Sequence, residues 1–80
     1  MSDIFFYKII KIIAKHTRTK KELINLETSA ETIERWDSLT HIKIIVDIEK
    51  DFNLKINTSM IGELNSVKSI IQFLSKKITK

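Results

Sequence analysis

Trp36-Asp37-Ser38-Leu39-Thr40-His41-Ile42-Lys43-Ile44-Ile45-Val46-Asp47-Ile48-Glu49-Lys50-Asp51-Phe52 is the stretch that decides how this chain folds. Before it, from Glu22 to Arg35, the sequence is polar and aperiodic; after Asp37, apolar residues recur at helical spacing. With about 100° per residue and His41 set at zero, Ile44, Ile45, Ile48 and Phe52 fall within about 60° and form a core stripe. Leu39, Ile42 and Val46 fall between about 100° and 160°, a second apolar stripe bordered by Lys43, Asp47 and Lys50. One stripe is enough to fold a small bundle. The second is therefore covered by the polar connection, exposed singly and without consequence, or left open as a docking surface. Asp37 is the expected N-cap of this helix, which puts the Ser38 hydroxyl at its mouth.

Outward from that helix the same period dominates, and strand alternation is lacking. The chain has no proline and one glycine, Gly62, so turn punctuation is sparse. A first helix is expected from Ser2 or Asp3, either of which would cap it, to about His16. Thr17-Arg18-Thr19-Lys20-Lys21 then reads as its fraying cationic end, with charges suited to a helix C-terminus. Residues 22–35 read as a long connecting loop pinned by Leu23, Ile24, Leu26 and Ile33, with Thr28-Ser29-Ala30-Glu31 capping a short turn. After Asn53 ends the second helix, Leu54-Lys55-Ile56 crosses back in extended form. Residues 58–64 read as a short helix, and Asn65 or Ser66 caps a last helix from Val67 to about Lys77 with Val67, Ile70, Ile71 and Leu74 on one stripe. The expected fold class is all-α: a small bundle of three main helices plus one short helix, with a long loop between the first and second helices, in a single domain over residues 1–80.

Composition narrows the function. Eighty residues bury only roughly 60% of their unfolded surface, which leaves little room for an enclosed active site. Cysteine is absent, so neither disulfides nor a thiolate zinc site is available, and no metal site is expected. The apolar N-terminal run is broken by Lys8, Lys11 and Lys15 at helical spacing, which argues for a core helix of a cytoplasmic protein rather than a signal or membrane segment. The net charge of +4 raises nucleic-acid binding, but the distribution opposes it. Residues 1–26 carry six basic and two acidic side chains and residues 52–80 five and one, whereas residues 27–51 carry three and seven. The basic ends flank an acidic middle that contains Ser38, and no basic stripe interleaved with aromatics is present.

By residue type alone, Ser38 at a helix start is a cap. Catalysis is not expected of it. His41 lies three residues on, but no third group is in view to orient the imidazole, and there is no glycine elbow or enclosed pocket. His41 reads as a core-edge residue. His16, at a helix C-terminus, receives no role.

Trp36-Asp37-Ser38-Leu39-Thr40-His41-Ile42, with Glu49, Phe52 and Ile56 downstream, resembles the acyl carrier protein family. In that family an Asp-Ser-Leu motif opens the second helix, which closes on a Glu-x-x-Phe-x-x-x-Ile pattern, and the order of elements here matches over nearly the whole chain. The resemblance implies that Ser38 carries 4′-phosphopantetheine, transferred from coenzyme A by a separate phosphopantetheinyl transferase. Acyl groups would ride on the arm as thioesters, visiting acyl-loading and acyl-processing enzymes that dock against the second helix. A helix N-terminus also suits a phosphodiester. Asp37, Asp47, Glu49 and Asp51 supply part of the acidic field that relatives present, but Lys43 and Lys50 interrupt it. The basic balance points away from a general fatty-acid synthase toward a specialised fatty-acid or polyketide-type pathway. The expected partner face is Asp37, Leu39, Ile42, Val46, Asp47, Met60 and Ile61. Trp36 reads equally as a mark of stand-alone carriers and as a plain core anchor.

The protein is thus expected to be a monomeric, non-enzymatic carrier without nucleic-acid or membrane partners. An aminoacyl or peptidyl carrier of the same fold is a sister reading. A small basic helical interaction or nucleic-acid-binding domain is the reading from another class.

Overall fold

A computed structural model describes residues 3–78. The order is α1 (Asp3–Thr17), a 3₁₀ turn (Lys21–Leu23), α2 (Ser38–Phe52), α3 (Thr58–Ile61) and α4 (Val67–Ile78). This is the expected all-α arrangement, three longer helices and one short one, with the long connection between α1 and α2. α1 packs against both α2 and α4. The expected caps of α1 fall on Ser2 and the Asp3 side chain, which lie outside the described residues.

The core is where the three stripes meet. Ile9 and Ile13 of α1, Ile44 and Ile48 of α2, and Val67, Ile70, Ile71 and Leu74 of α4 are all fully buried. These are the i, i+3, i+4 positions that an amphipathic helix turns inward. Isoleucine dominates, and its branched Cβ gives it essentially one χ1 state in a helix, so the packed faces have a fixed shape.

Two helices end by the same device. Arg18 and Asn53 adopt left-handed backbone, with φ of 56° and 54°. The Thr19 N–H then donates to the Ala14 carbonyl at 3.2 Å, and the Leu54 N–H to the Glu49 carbonyl at 3.1 Å. Each closes the last turn in the 6→1 pattern of a Schellman motif. Thr17–Lys21 therefore does not fray as expected. Thr17 is buried and its hydroxyl donates to the Ile13 carbonyl at 2.7 Å, while residues 21–23 re-form a turn. Helix ends with satisfied carbonyls and a buried side chain stay wound.

The long connection is stitched rather than loose. Ile24 is buried and Ile33 packs against the core, but Leu23 and Leu26 point outward and are not the anchors expected. Backbone bonds hold the rest. The Ala30 N–H donates to the Asn65 carbonyl at 2.8 Å, and the Thr28 carbonyl accepts the Val67 N–H at 3.0 Å, which satisfies a first-turn amide of α4. Ser66 caps α4: its hydroxyl accepts the Ser69 N–H while the Ser69 hydroxyl accepts the Ser66 N–H, both at 3.1 Å. α3 is shorter than expected, ending at Ile61.

Candidate functional site

The N-terminus of α2 is built by Asp37. Its backbone is extended, with φ −93° and ψ −174°, and its carboxylate accepts the Thr40 N–H at 2.9 Å. That backbone hydrogen bond, with the Thr40 side chain adding to it, holds the Asp37 carboxyl below the usual carboxylate range; Lys43 contributes less. Because Asp37 does the capping, Ser38 is released from it. Ser38 is the first helical residue and is exposed, its hydroxyl beside the free amides of the first turn.

The second apolar stripe is uncovered. Leu39 is 67% exposed, Ile42 46% and Val46 41%, so the long connection does not shield them. The connection cannot do so, because Ile24, Ile33 and its backbone bonds tie it to the core and to the start of α4. Met60 and Ile61, expected on the same face, are half-buried and pack against the core from α3.

Trp36 is 2% exposed and packs in the core, so the anchor reading describes its place. It does more than fill space. Its indole N–H donates to Nδ1 of His41 at 2.9 Å, and Nε2 of His41 donates to the Ile61 carbonyl at 2.6 Å. His41 thus joins the residue two before Ser38, the second turn of α2 and the end of α3. The groups that orient its ring are an indole and a peptide carbonyl. With both nitrogens committed, it is not a base for Ser38.

The acidic residues divide differently from expectation. Asp47 turns to α1: Nε2 of His16 donates to its Oδ2 at 2.6 Å, and Lys15 lies 3.6 Å away. The His16 hydrogen bond first, and Lys15 after it, hold the Asp47 carboxyl below the usual range against an opposing burial effect. Glu49 turns to the chain after α2, where Oε2 accepts the Ile56 N–H at 2.7 Å. The glutamate latches the backbone that brings Ile56 into the core. Asp37 and Asp51 remain as exposed carboxylates on or beside α2. Asp51 and Asp47 line one side of a groove of ≈ 470 Å³ whose other side is Tyr7, Lys8, Lys11, Ile12 and Lys15 of α1.

The roles of His16, His41 and Glu49 are not legible from residue type and period. The partners of His16 and His41 lie 31 and 20 residues away, beyond any local pattern. Only the Trp36–His41 spacing of five was within reach.

Residues 8–74 match the family described as "Phosphopantetheine attachment site". The chain is 25% identical over 80 residues to an acyl carrier protein of Trieres chinensis, covering 100% of both chains. It is 32% identical over 69 residues to the acyl carrier proteins of Lactococcus lactis subsp. cremoris (strain MG1363) and subsp. lactis (strain IL1403), covering 86% of this chain and 90% of theirs. No described helix is long and apolar enough to cross a membrane.

Proposed function

The chain belongs to the phosphopantetheine-attachment family of acyl carrier proteins, and from that premise we propose that Ser38 is the residue that takes its 4′-phosphopantetheine arm. The observation that carries the reading is the division of labour at the α2 mouth. Asp37 caps the helix, and Ser38 is left exposed among first-turn amides. Those amides and the helix dipole favour the anionic phosphodiester that attachment would place there. In the transfer, Ser38 Oγ forms the new O–P bond, the pyrophosphate P–O bond of coenzyme A breaks toward the departing nucleotide, and the hydroxyl proton passes to the transferase. When attached, the arm supplies a thiol that carries acyl groups as thioesters.

The docking face is Leu39, Ile42 and Val46, with Met60 and Ile61 at its α3 edge. The exposure of Leu39, Ile42 and Val46 beside Ser38 supports this assignment. Asp37 belongs to the same face; Asp47 contributes its backbone position but directs its carboxylate to His16. With Asp47 and Glu49 engaged internally, a partner reads apolar shape here more than an acidic field. That favours a dedicated enzyme of a specialised fatty-acid or polyketide-type pathway. Residues 1–80 act as one carrier domain, monomeric and cytoplasmic, and the protein performs no catalysis itself.

Intact mass after treatment with coenzyme A and a promiscuous phosphopantetheinyl transferase tests the assignment. Wild type gains one phosphopantetheinyl group and Ser38→Ala gains none. Uptake by Ser38→Ala, or none by wild type, removes the proposal. Incubating the modified protein with acyl-transfer enzymes and with adenylation enzymes then separates an acyl from an aminoacyl cargo.

A further inference from the structure

An indole, an imidazole and a peptide carbonyl stand in line beside Ser38. The Trp36 N–H can only donate, and the Ile61 carbonyl can only accept. The His41 ring meets both, at 2.9 Å and 2.6 Å. One state of the ring satisfies the pair: neutral, with its single proton on Nε2. A second proton, on Nδ1, would oppose the buried indole N–H donor to donor and leave it without its acceptor.

What this line holds is a weak element. α3 has four residues and no side-chain cap, too short to persist without tertiary contacts. Its terminal carbonyl, Ile61, is the atom His41 grips; the Leu64 N–H shares that carbonyl at a longer 3.2 Å. Met60 and Ile61 ride on the same turn.

We propose that His41 is a positioning residue for arm transfer to Ser38: while neutral it clamps the end of α3 to the start of α2, and protonation opens the clamp. The functional half rests on Ser38 as attachment point; the clamp itself rests on geometry alone. Few charges compete with His41 for this role. On α2 the nearest in sequence are Asp37, occupied as the cap, and Lys43. Residues 58–61 carry no titratable side chain, and Glu63 follows them; Glu34 and Arg35, which precede Trp36, are exposed.

The chain has one tryptophan and two histidines, so the clamp has a direct reporter. The Trp36 indole N–H resonance and fluorescence are followed as pH is lowered from about 8 to the onset of acid unfolding. Wild type, His16→Gln and Ser38→Ala are expected to show the transition. His41→Gln, whose amide accepts and donates without titrating, is expected to lack it. At the upper pH, with transferase and coenzyme A, His41→Ala raises the KM for the carrier roughly tenfold, the scale of one lost hydrogen-bonded bridge, while kcat stays within about twofold. His41→Gln restores the KM. A Trp36 transition that survives in His41→Gln, or a wild type that reaches acid unfolding without one, overturns the clamp. An unchanged KM in a folded His41→Ala overturns the positioning role. If no protein is modified while the Trp36 transition behaves as expected, the Ser38 reading falls and takes the positioning role with it, and the clamp stands.

Discussion

Two histidines bind α2 to its neighbours, one from α1 and one from within α2, and they place opposite demands on their protons. His16 reaches across from α1 to the Asp47 carboxylate, which can only accept, so a second N–H on the ring costs that pair nothing. His41 lies between an obligate donor and an obligate acceptor, so a second N–H breaks that line. One contact is a hydrogen-bonded tie on the flank of the bundle; the other is a proton-counting bridge at the mouth. The same side chain is a strut in one place and a latch in the other, and only the neighbours make the difference.

The largest expected effect lies on the latch side. Trp36→Ala removes a core side chain and the donor to His41 together, and should cost about 3–5 kcal/mol of folding free energy in denaturant titration. A loss near that of a surface substitution would mean that Trp36 is not the anchor of the mouth. Next comes the contrast between the two stripes of α2. Ile44→Ala should cost about 2–5 kcal/mol, whereas Ile42→Ser should stay within about 0.5 kcal/mol and instead weaken handling of the loaded carrier by its partner enzyme. Equal destabilisation by both would show the second stripe to be structural.

The smallest effect lies on the strut side and has a definite sign in pH. The Asp47 carboxyl is lowered from its ordinary 3.8, principally by the His16 hydrogen bond. Its contribution to stability is therefore fully present above that ordinary value and is lost as pH falls through the lowered one. His16→Ala should return the Asp47 carboxyl toward 3.8, seen by carboxyl NMR titration, with a stability loss of about 1 kcal/mol or less at neutral pH. An Asp47 titration indifferent to His16 would reduce the tie to a coincidence of geometry.

Much of this molecule is written locally. The boundaries of α2, its Asp37 cap, its Asn53 terminus and both of its apolar stripes stand in the structure as the helical period places them. The α4 stripe does too. The errors share a cause. Leu23 and Leu26 look like anchors by type, but the connection is held by backbone hydrogen bonds to residues 65–67, to which residue type is blind. Asp47 and Glu49 look like surface acids by residue type. Their partners, His16 and the Ile56 amide, come from other segments.

Local sequence is enough for the helices, for the place of Ser38 at the mouth of α2, and for the motif that joins this chain to its family. Caps and stripes depend on residues within four or five positions of one another, and a helix keeps those neighbours wherever it packs. Tertiary structure decided which acids remain free, which apolar stripe stays bare, and what each histidine does. Those outcomes turn on hydrogen bonds of fixed donor–acceptor sense between segments far apart in the chain, and no local period encodes them.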